Sequence, residues 1–249
     1  MRKFFIVLIV MMTSIGYAQD SGLKGKSVLI YNFTGEGYVH ENIAASAEAL
    51  EEICNDLGIK TTQADHPEVF EKKDLQNYDA IIFSNTNNEA FLTRDQRAAF
   101  KAYILSGKGF MGIHSANATA QEWPWYVQMI GGKFVRHPKL QKFDIHVIDP
   151  THISTSHLPE VWKWEDECYY SNHLNPAINI LLAGDLNTVT DDQKDEYPGE
   201  VFGNYIPLAW NHVFEGTRVF YTALGHKKEY YDEPAFRDHL KGGVVWILE

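Results

Sequence analysis

The segment GFMGIHSA (Gly109–Ala116) decides the architecture. Its first five residues carry no charge, which suits a short strand buried on both faces, and the chain then turns through His114, Ser115 and Ala116. Upstream, YDAIIFS (Tyr78–Ser84) is a second run of this kind and Val28–Phe33 a third, with Ile59–Gln63 as a weaker fourth. Between the runs, apolar residues recur at helical spacing. Ile43, Ala47, Leu50, Cys54 and Leu57 form one stripe, and Gly58 follows as its stop. Thr93, with Gln96 three residues later, is a capping-box start for a helix whose apolar side is Phe100, Tyr103 and Ile104 and which ends at Ser106 and Gly107. Strands alternating with helices predict an α/β fold with a mostly parallel central sheet covered on both faces. Such sheets bind ligands at the carboxyl ends of their strands. A site is therefore expected among the loops Thr34–His40, Asn85–Phe91 and His114–Trp125.

The alternation weakens further on. FDIHVID (Phe143–Asp149) alternates in the manner of an edge or antiparallel strand and stops at Asp149 and Pro150. Ile178–Ala183 and Arg218–Ala223 read as strands flanking a polar excursion, Asp185–Glu200. A last helix is predicted from Glu233 and Pro234 towards Ile247, with Gly242 and Gly243 as marks of close packing. There is no internal repeat and no linker, so residues 19–249 read as one domain. Residues 1–18 read as a signal peptide: Arg2 and Lys3, an apolar run Phe4–Met12, then small residues at Gly16 and Ala18 before the cut. That places the mature protein in the periplasm or outside the cell. No later stretch is long enough to span a membrane. With 33 acidic against 22 basic residues, a net charge of -11 and no basic stripe, nucleic acid is not an expected partner. The two cysteines, Cys54 and Cys168, form no Cys-x-x-Cys pair. Cys54 on an apolar helix face suits a buried thiol, with a disulfide as the alternative.

Several segments together resemble the ThuA-like, or trehalose-utilisation, family. They are the opening strand and loop through His40, GFMGIHSA, WYVQMIGGKFVRH (Trp125–His137), the HVID and LPEVW segments, Asp166 with Glu167, Pro207–Trp210, RVFYTALGH (Arg218–His226) and the GGVVW ending at Trp246. The resemblance covers nearly all of the mature chain, in order. It implies the flavodoxin-like, class I glutamine amidotransferase-like three-layer sandwich and a role in saccharide metabolism beside sugar-oxidising enzymes. It also carries a negative. The amidotransferases place a catalytic Cys on a tight strand-to-helix turn, and the matching turn here centres on His114. Glutaminase activity is therefore not expected, and Gly-Ile-His-Ser-Ala is not the Gly-x-Ser-x-Gly elbow of a serine hydrolase.

The candidate residues follow. His114 ends a buried strand where sites form, and imidazole exchanges protons near neutral pH. His226 repeats the pattern after its own strand, as Ala-Leu-Gly-His. Asp166 and Glu167 stand among Trp164, Tyr169 and Tyr170, and the resemblance favours Glu167. His114, Glu167 and His226 are the expected catalytic residues. His40, Tyr38, His137, Trp210 and Asn211 are the expected substrate-binding residues, Trp210 as an aromatic platform; in the family the loop of His40 lies against the site. No cofactor is expected: Gly35-Glu36-Gly37 lacks the dinucleotide fingerprint, and no histidine pair has a strong metal-binding spacing, although three histidines and Glu167 from separate strands would make a zinc set if they converged.

The leading reading is acid–base chemistry on a sugar or keto-sugar without a metal, giving isomerisation, elimination or hydrolysis, with a sugar oxidoreductase as a working partner. A carbohydrate-binding protein without turnover and a metal-dependent glycan hydrolase are the alternatives.

Overall fold

The computed structural model describes residues 22–193 and 203–249. The signal-peptide reading over residues 1–18, and the part of the polar excursion from 194 to 200, lie outside the described residues.

β1 (Ser27–Tyr31), β2 (Lys60–Ala64), β3 (Ala80–Ser84) and β4 (Gly109–Ile113) are the strands that the apolar runs predict, and β3 and β4 are buried at every residue. They alternate with α1 (Ile43–Asp56) and α2 (Arg94–Leu105). The capping box forms: Thr93 accepts from the Gln96 N–H, and Gln96 reaches back to the Thr93 N–H. Next come α3 (Pro124–Ile130), β5 (Lys133–Arg136), β6 (Gln141–Val147), β7 (Val161–Asp166), β8 (Tyr170–Asn172), β9 (Asn179–Asp185), β10 (Tyr205–Phe214), β11 (Thr217–Thr222) and α4 (Pro234–Leu248).

One sheet orders nine strands as β2-β1-β3-β4-β11-β10-β9-β6-β7, and β5 pairs β8 separately. The pairings are parallel from β2 through β11 and antiparallel from there to β7. Only β10 and β6 therefore run against the rest, and β7 ends on the same edge as β1, β4 and β11. Two glycines of β4 show the three layers. Side chains on a strand alternate between faces, so positions 109 and 112 look opposite ways. A Cβ on Gly109 would lie 2.1 Å from the Ile247 carbonyl oxygen of α4, and one on Gly112 would lie 2.9 Å from Ile130 of α3. At Gly109 the backbone of α4 comes closer to the sheet than alanine allows, and at Gly112 it is the tip of the Ile130 side chain that closes in.

β5, β7, β8 and β10 carry no strand signal of their own. β7 (VWKWED) mixes charge into its alternation, and β10 contains Pro207, which is tolerated because the pairing with β9 slips between Pro207 and Ala209.

His239 locks α4 to its neighbours: it is fully buried, with Nδ1 2.9 Å from the Ser154 carbonyl oxygen and Nε2 3.1 Å from Thr222 Oγ1. Burial lowers its pKa from 6.5 to about 4; the Ser154 bond opposes the fall, and His157 and His152 add to it. Between those values the unfolded chain binds a proton that the folded chain does not, so acidification destabilises the fold through this group. Stability lost between pH 7 and pH 4.5 should shrink by about 2–3 kcal/mol in His239→Gln relative to wild type, measured by urea unfolding at both pH values. An unchanged difference would show that His239 ionises freely in the folded chain.

Candidate functional site

Four strands that run the same way each deliver a side chain to one edge of the sheet. β1 feeds the loop that holds His40, β4 ends at His114, β11 is followed by His226, and β7 ends at Asp166 with Glu167 next.

His114 sits on a tight turn with φ 52°, a left-handed conformation that a non-glycine residue adopts at a cost of roughly 1 kcal/mol or more. The turn is held on both sides. Tyr221 donates its hydroxyl to the His114 carbonyl at 2.8 Å, and His114 Nδ1 lies 2.7 Å from the Ala223 carbonyl oxygen. A carbonyl only accepts, so Nδ1 carries the hydrogen and Nε2 presents its lone pair to the site. Nε2 lies 2.9 Å from the Tyr169 hydroxyl, 3.4 Å from His226 Nδ1 and 3.6 Å from Glu167 Oε2. Complete burial holds the imidazole neutral, well below its usual pKa, and His40, His226 and His137 push the same way.

Glu167 joins the remaining groups. Its Oε2 lies 3.2 Å from His226 Nδ1, and its Oε1 lies 3.4 Å from His137 Nε2. The bond to Glu167 raises the pKa of His226 against partial burial. Burial, then His226, lower His40 to about 4. The His40 ring stands edge-on to His114 at 4.7 Å and to His226 at 5.5 Å, with Ser115 Oγ 3.4 Å from its Nδ1. Tyr38, largely exposed, packs its ring 4.8 Å from His40 at the rim.

Asp166 does not face the cluster; it anchors it. Its buried carboxylate accepts the backbone N–H groups of Gly225, His226 and Glu167 and the indole N–H of Trp164. The residues that carry Glu167 and His226 are thereby tied to one group. Burial raises the Asp166 pKa to about 6 despite these four donors.

The structure thus gathers His114, Glu167, His226, His40 and His137 in one place, with Tyr38 at the rim. It puts Trp210 and Asn211 elsewhere. Both point away from this edge because they lie within β10: Trp210 is fully buried with its Nε1 donating to the Ile130 carbonyl at 2.8 Å, and Asn211 accepts from Asn179. The predicted platform is core. Arg136 binds Asp191 through two bonds and lies 4.6 Å over the Tyr170 ring. Neither cysteine occupies the turn; Cys54 and Cys168 are buried free thiols. The hydroxyl of Tyr169 is the group that sequence reasoning passed over. Its signal was its place two residues after Glu167 in the link between β7 and β8.

His137 also lines a cleft of about 690 Å³, together with Lys139, Gln141, Thr190 and Asp192. Among the described residues no helix is long and apolar enough to cross a membrane.

A family model described as ThuA, trehalose utilisation, matches residues 27–247. Among solved structures, a ThuA-like protein from Bacteroides uniformis ATCC 8492 is 22% identical over 95% of each chain, with a TM-score of 0.70. A ThuA-like protein from Parabacteroides merdae ATCC 43184 is 17% identical over 90% of each chain, with a TM-score of 0.71. The carbohydrate deacetylase Agd3 is 15% identical over 90% of this chain and 32% of its own, with a TM-score of 0.52. These likenesses show the fold. No functionally curated protein matches.

Proposed function

The chain belongs to the ThuA, trehalose-utilisation family, and from that premise we propose that it is an enzyme of saccharide metabolism that moves a proton at a sugar carbon made acidic by a neighbouring keto group. One observation carries the reading. In a family tied to a sugar, a carboxylate, four imidazoles and a tyrosine hydroxyl converge at the strand edge where such folds bind ligands, and one of the imidazoles, His137, lines a cleft.

The geometry redistributes the roles expected from sequence. His114 is buried and neutral with its lone pair inward, so it is poorly placed to take up and hold a proton. Glu167 is the better base, because its Oε1 faces His137, a residue that lines the neighbouring cleft, while Oε2 is held by His226. The Tyr169 hydroxyl and the half-exposed His137 are the hydrogen-bond donors available to an oxyanion that develops beside the deprotonated carbon. Loss of a leaving group from the enediolate gives elimination, and reprotonation gives isomerisation or epimerisation. A keto-sugar has to be supplied by an oxidation, so a sugar oxidoreductase is the fitting upstream partner. With residues 1–18 as an export signal, the reaction runs in the periplasm or outside the cell, and mass spectrometry of the exported protein should find Gln19 as its first residue.

The test is to incubate the mature chain in heavy water with trehalose, simple glucosides and their 3-keto derivatives, and to follow each mixture by NMR. Deuterium should enter beside the keto group, or new products should form, with the keto-sugars alone. Saturable sugar binding by folded protein with no exchange and no product across the panel would overturn the reading in favour of a binding protein.

A further inference from the structure

Among the described residues, His40, His114, Glu167 and His226 bring their ligand atoms within 4.8 Å of one another. We propose that these four side chains form a binding site for a divalent transition-metal ion of the zinc class. Three of the donors already have the spacing of a coordination shell. His114 Nε2 to His226 Nδ1 is 3.4 Å, His114 Nε2 to Glu167 Oε2 is 3.6 Å, and His226 Nδ1 to Glu167 Oε2 is 3.2 Å. A tetrahedral ion with ligands at about 2.0–2.1 Å holds neighbouring donors about 3.3 Å apart. The triangle is therefore one face of such a tetrahedron, and His40, edge-on to both imidazoles, is the fourth donor.

The donor chemistry agrees. Three imidazoles and one carboxylate suit zinc, whereas magnesium and calcium favour all-oxygen shells. The Ala223 carbonyl takes the Nδ1 hydrogen of His114 and so turns the Nε2 lone pair inward, the outer-shell arrangement that orients metal-bound histidine. Asp166 fixes the backbone of both Glu167 and His226. On binding, His226 ligates through Nδ1 with its hydrogen on Nε2, any extra proton passes to solvent, and Tyr169 gives up its bond to His114 Nε2. Only Oε2 of Glu167 is used, so Oε1, beside His137, stays available as a base. The consequence for catalysis, polarisation of a sugar carbonyl, rests on the proposed function; metal binding itself does not.

Chelator-treated protein that has never been unfolded, checked for folding by circular dichroism, is titrated with Zn²⁺ alone by calorimetry and with Co²⁺ alone by visible absorption. One equivalent should bind, and cobalt should give the intense absorption of a tetrahedral site. His226→Ala and Glu167→Gln should each weaken binding at least about 10–100-fold, since even outer-shell partners cost that much, while His66→Ala, at an exposed position away from the site, should leave it unchanged. His40→Ala serves as a third ligand variant if either of the first two fails to fold. No stoichiometric uptake by folded protein, or equal uptake by the ligand variants, would overturn the proposal and leave a hydrogen-bonded network only. Keto-sugar turnover by folded protein that takes up no metal would overturn the metal site while leaving the proposed function standing. Tight metal binding without turnover on any sugar would do the reverse.

Discussion

Glu167→Gln is expected to lower kcat on a 3-keto sugar by roughly 10²–10⁴-fold, with KM changed only a few-fold and thermal stability close to wild type. The amide keeps the size of the carboxylate and one acceptor oxygen, so the fold and the pocket shape survive. What it loses is the ability to accept a proton from carbon. The split between kcat and KM is the informative part. If Glu167 only bound sugar hydroxyls, its loss would raise KM and leave kcat near wild type, because an interaction present equally in ground and transition states does not change the chemical step. A fully active Glu167→Gln enzyme would remove Glu167 from the chemistry and take the proposed base with it. Tyr169→Phe should fall less, by roughly one order of magnitude or more, because one hydrogen-bond donor to a developing oxyanion is lost while its ring still fills the space beside His114 and His137.

The first half of the fold was legible because each strand there is buried on both faces and each helix has a single apolar stripe. YDAIIFS and GFMGI have no solvent face to blur the pattern, and Thr93 with Gln96 marks a helix start by chemistry rather than by hydropathy. The antiparallel half was less legible for a physical reason. β7, at the sheet edge, alternates Trp162 and Trp164 with Lys163 and Glu165, and its last residue, Asp166, and the Glu167 that follows it belong to the site rather than to the strand pattern. β10 hides behind Pro207, which only a bulge makes acceptable.

The site divides the same way. His114 and His226 could be found because each ends a recognisable strand and enters a loop. Their convergence with Glu167 could not be read locally, since Glu167 arrives from a strand at the far edge of the sheet and is brought in by the bonds from Gly225 and His226 to Asp166. The expectation of chemistry without a metal rested on sequence spacing. Spacing along the chain carries no information about donors that come from four separate strand ends, and the 3.2–3.6 Å triangle is visible only once those ends share an edge. Trp210 failed in the opposite direction: an aromatic beside Asn211 and His212 looks like a platform, but successive residues of a strand face opposite layers.

Trp210→Ala should therefore act on stability. The indole is fully buried, packs at a tilt 4.4 Å from the Tyr221 ring, and donates to the Ile130 carbonyl at the end of α3. Removing a buried aromatic of this size costs about 3–5 kcal/mol, and at this chain length each kcal/mol moves Tm by about 2–4 °C, so Tm should drop by roughly 10 °C in a thermal melt. The packing explains why no other aromatic substitutes fully. A Cβ at Gly131, where φ is 100°, would lie 2.3 Å from the Trp210 Nε1, so the indole is fitted to a turn that only glycine makes comfortably. That turn starts the segment through β5 that carries His137 to Glu167. Trp210→Phe should lose less stability, keeping most of the apolar contact but not the bond to Ile130. Sugar turnover of either variant, measured well below its Tm, should fall only as far as His137 is displaced. A Trp210→Ala protein with an unchanged Tm and a large loss of sugar affinity would restore the platform reading and show that this face of β10 opens to ligand.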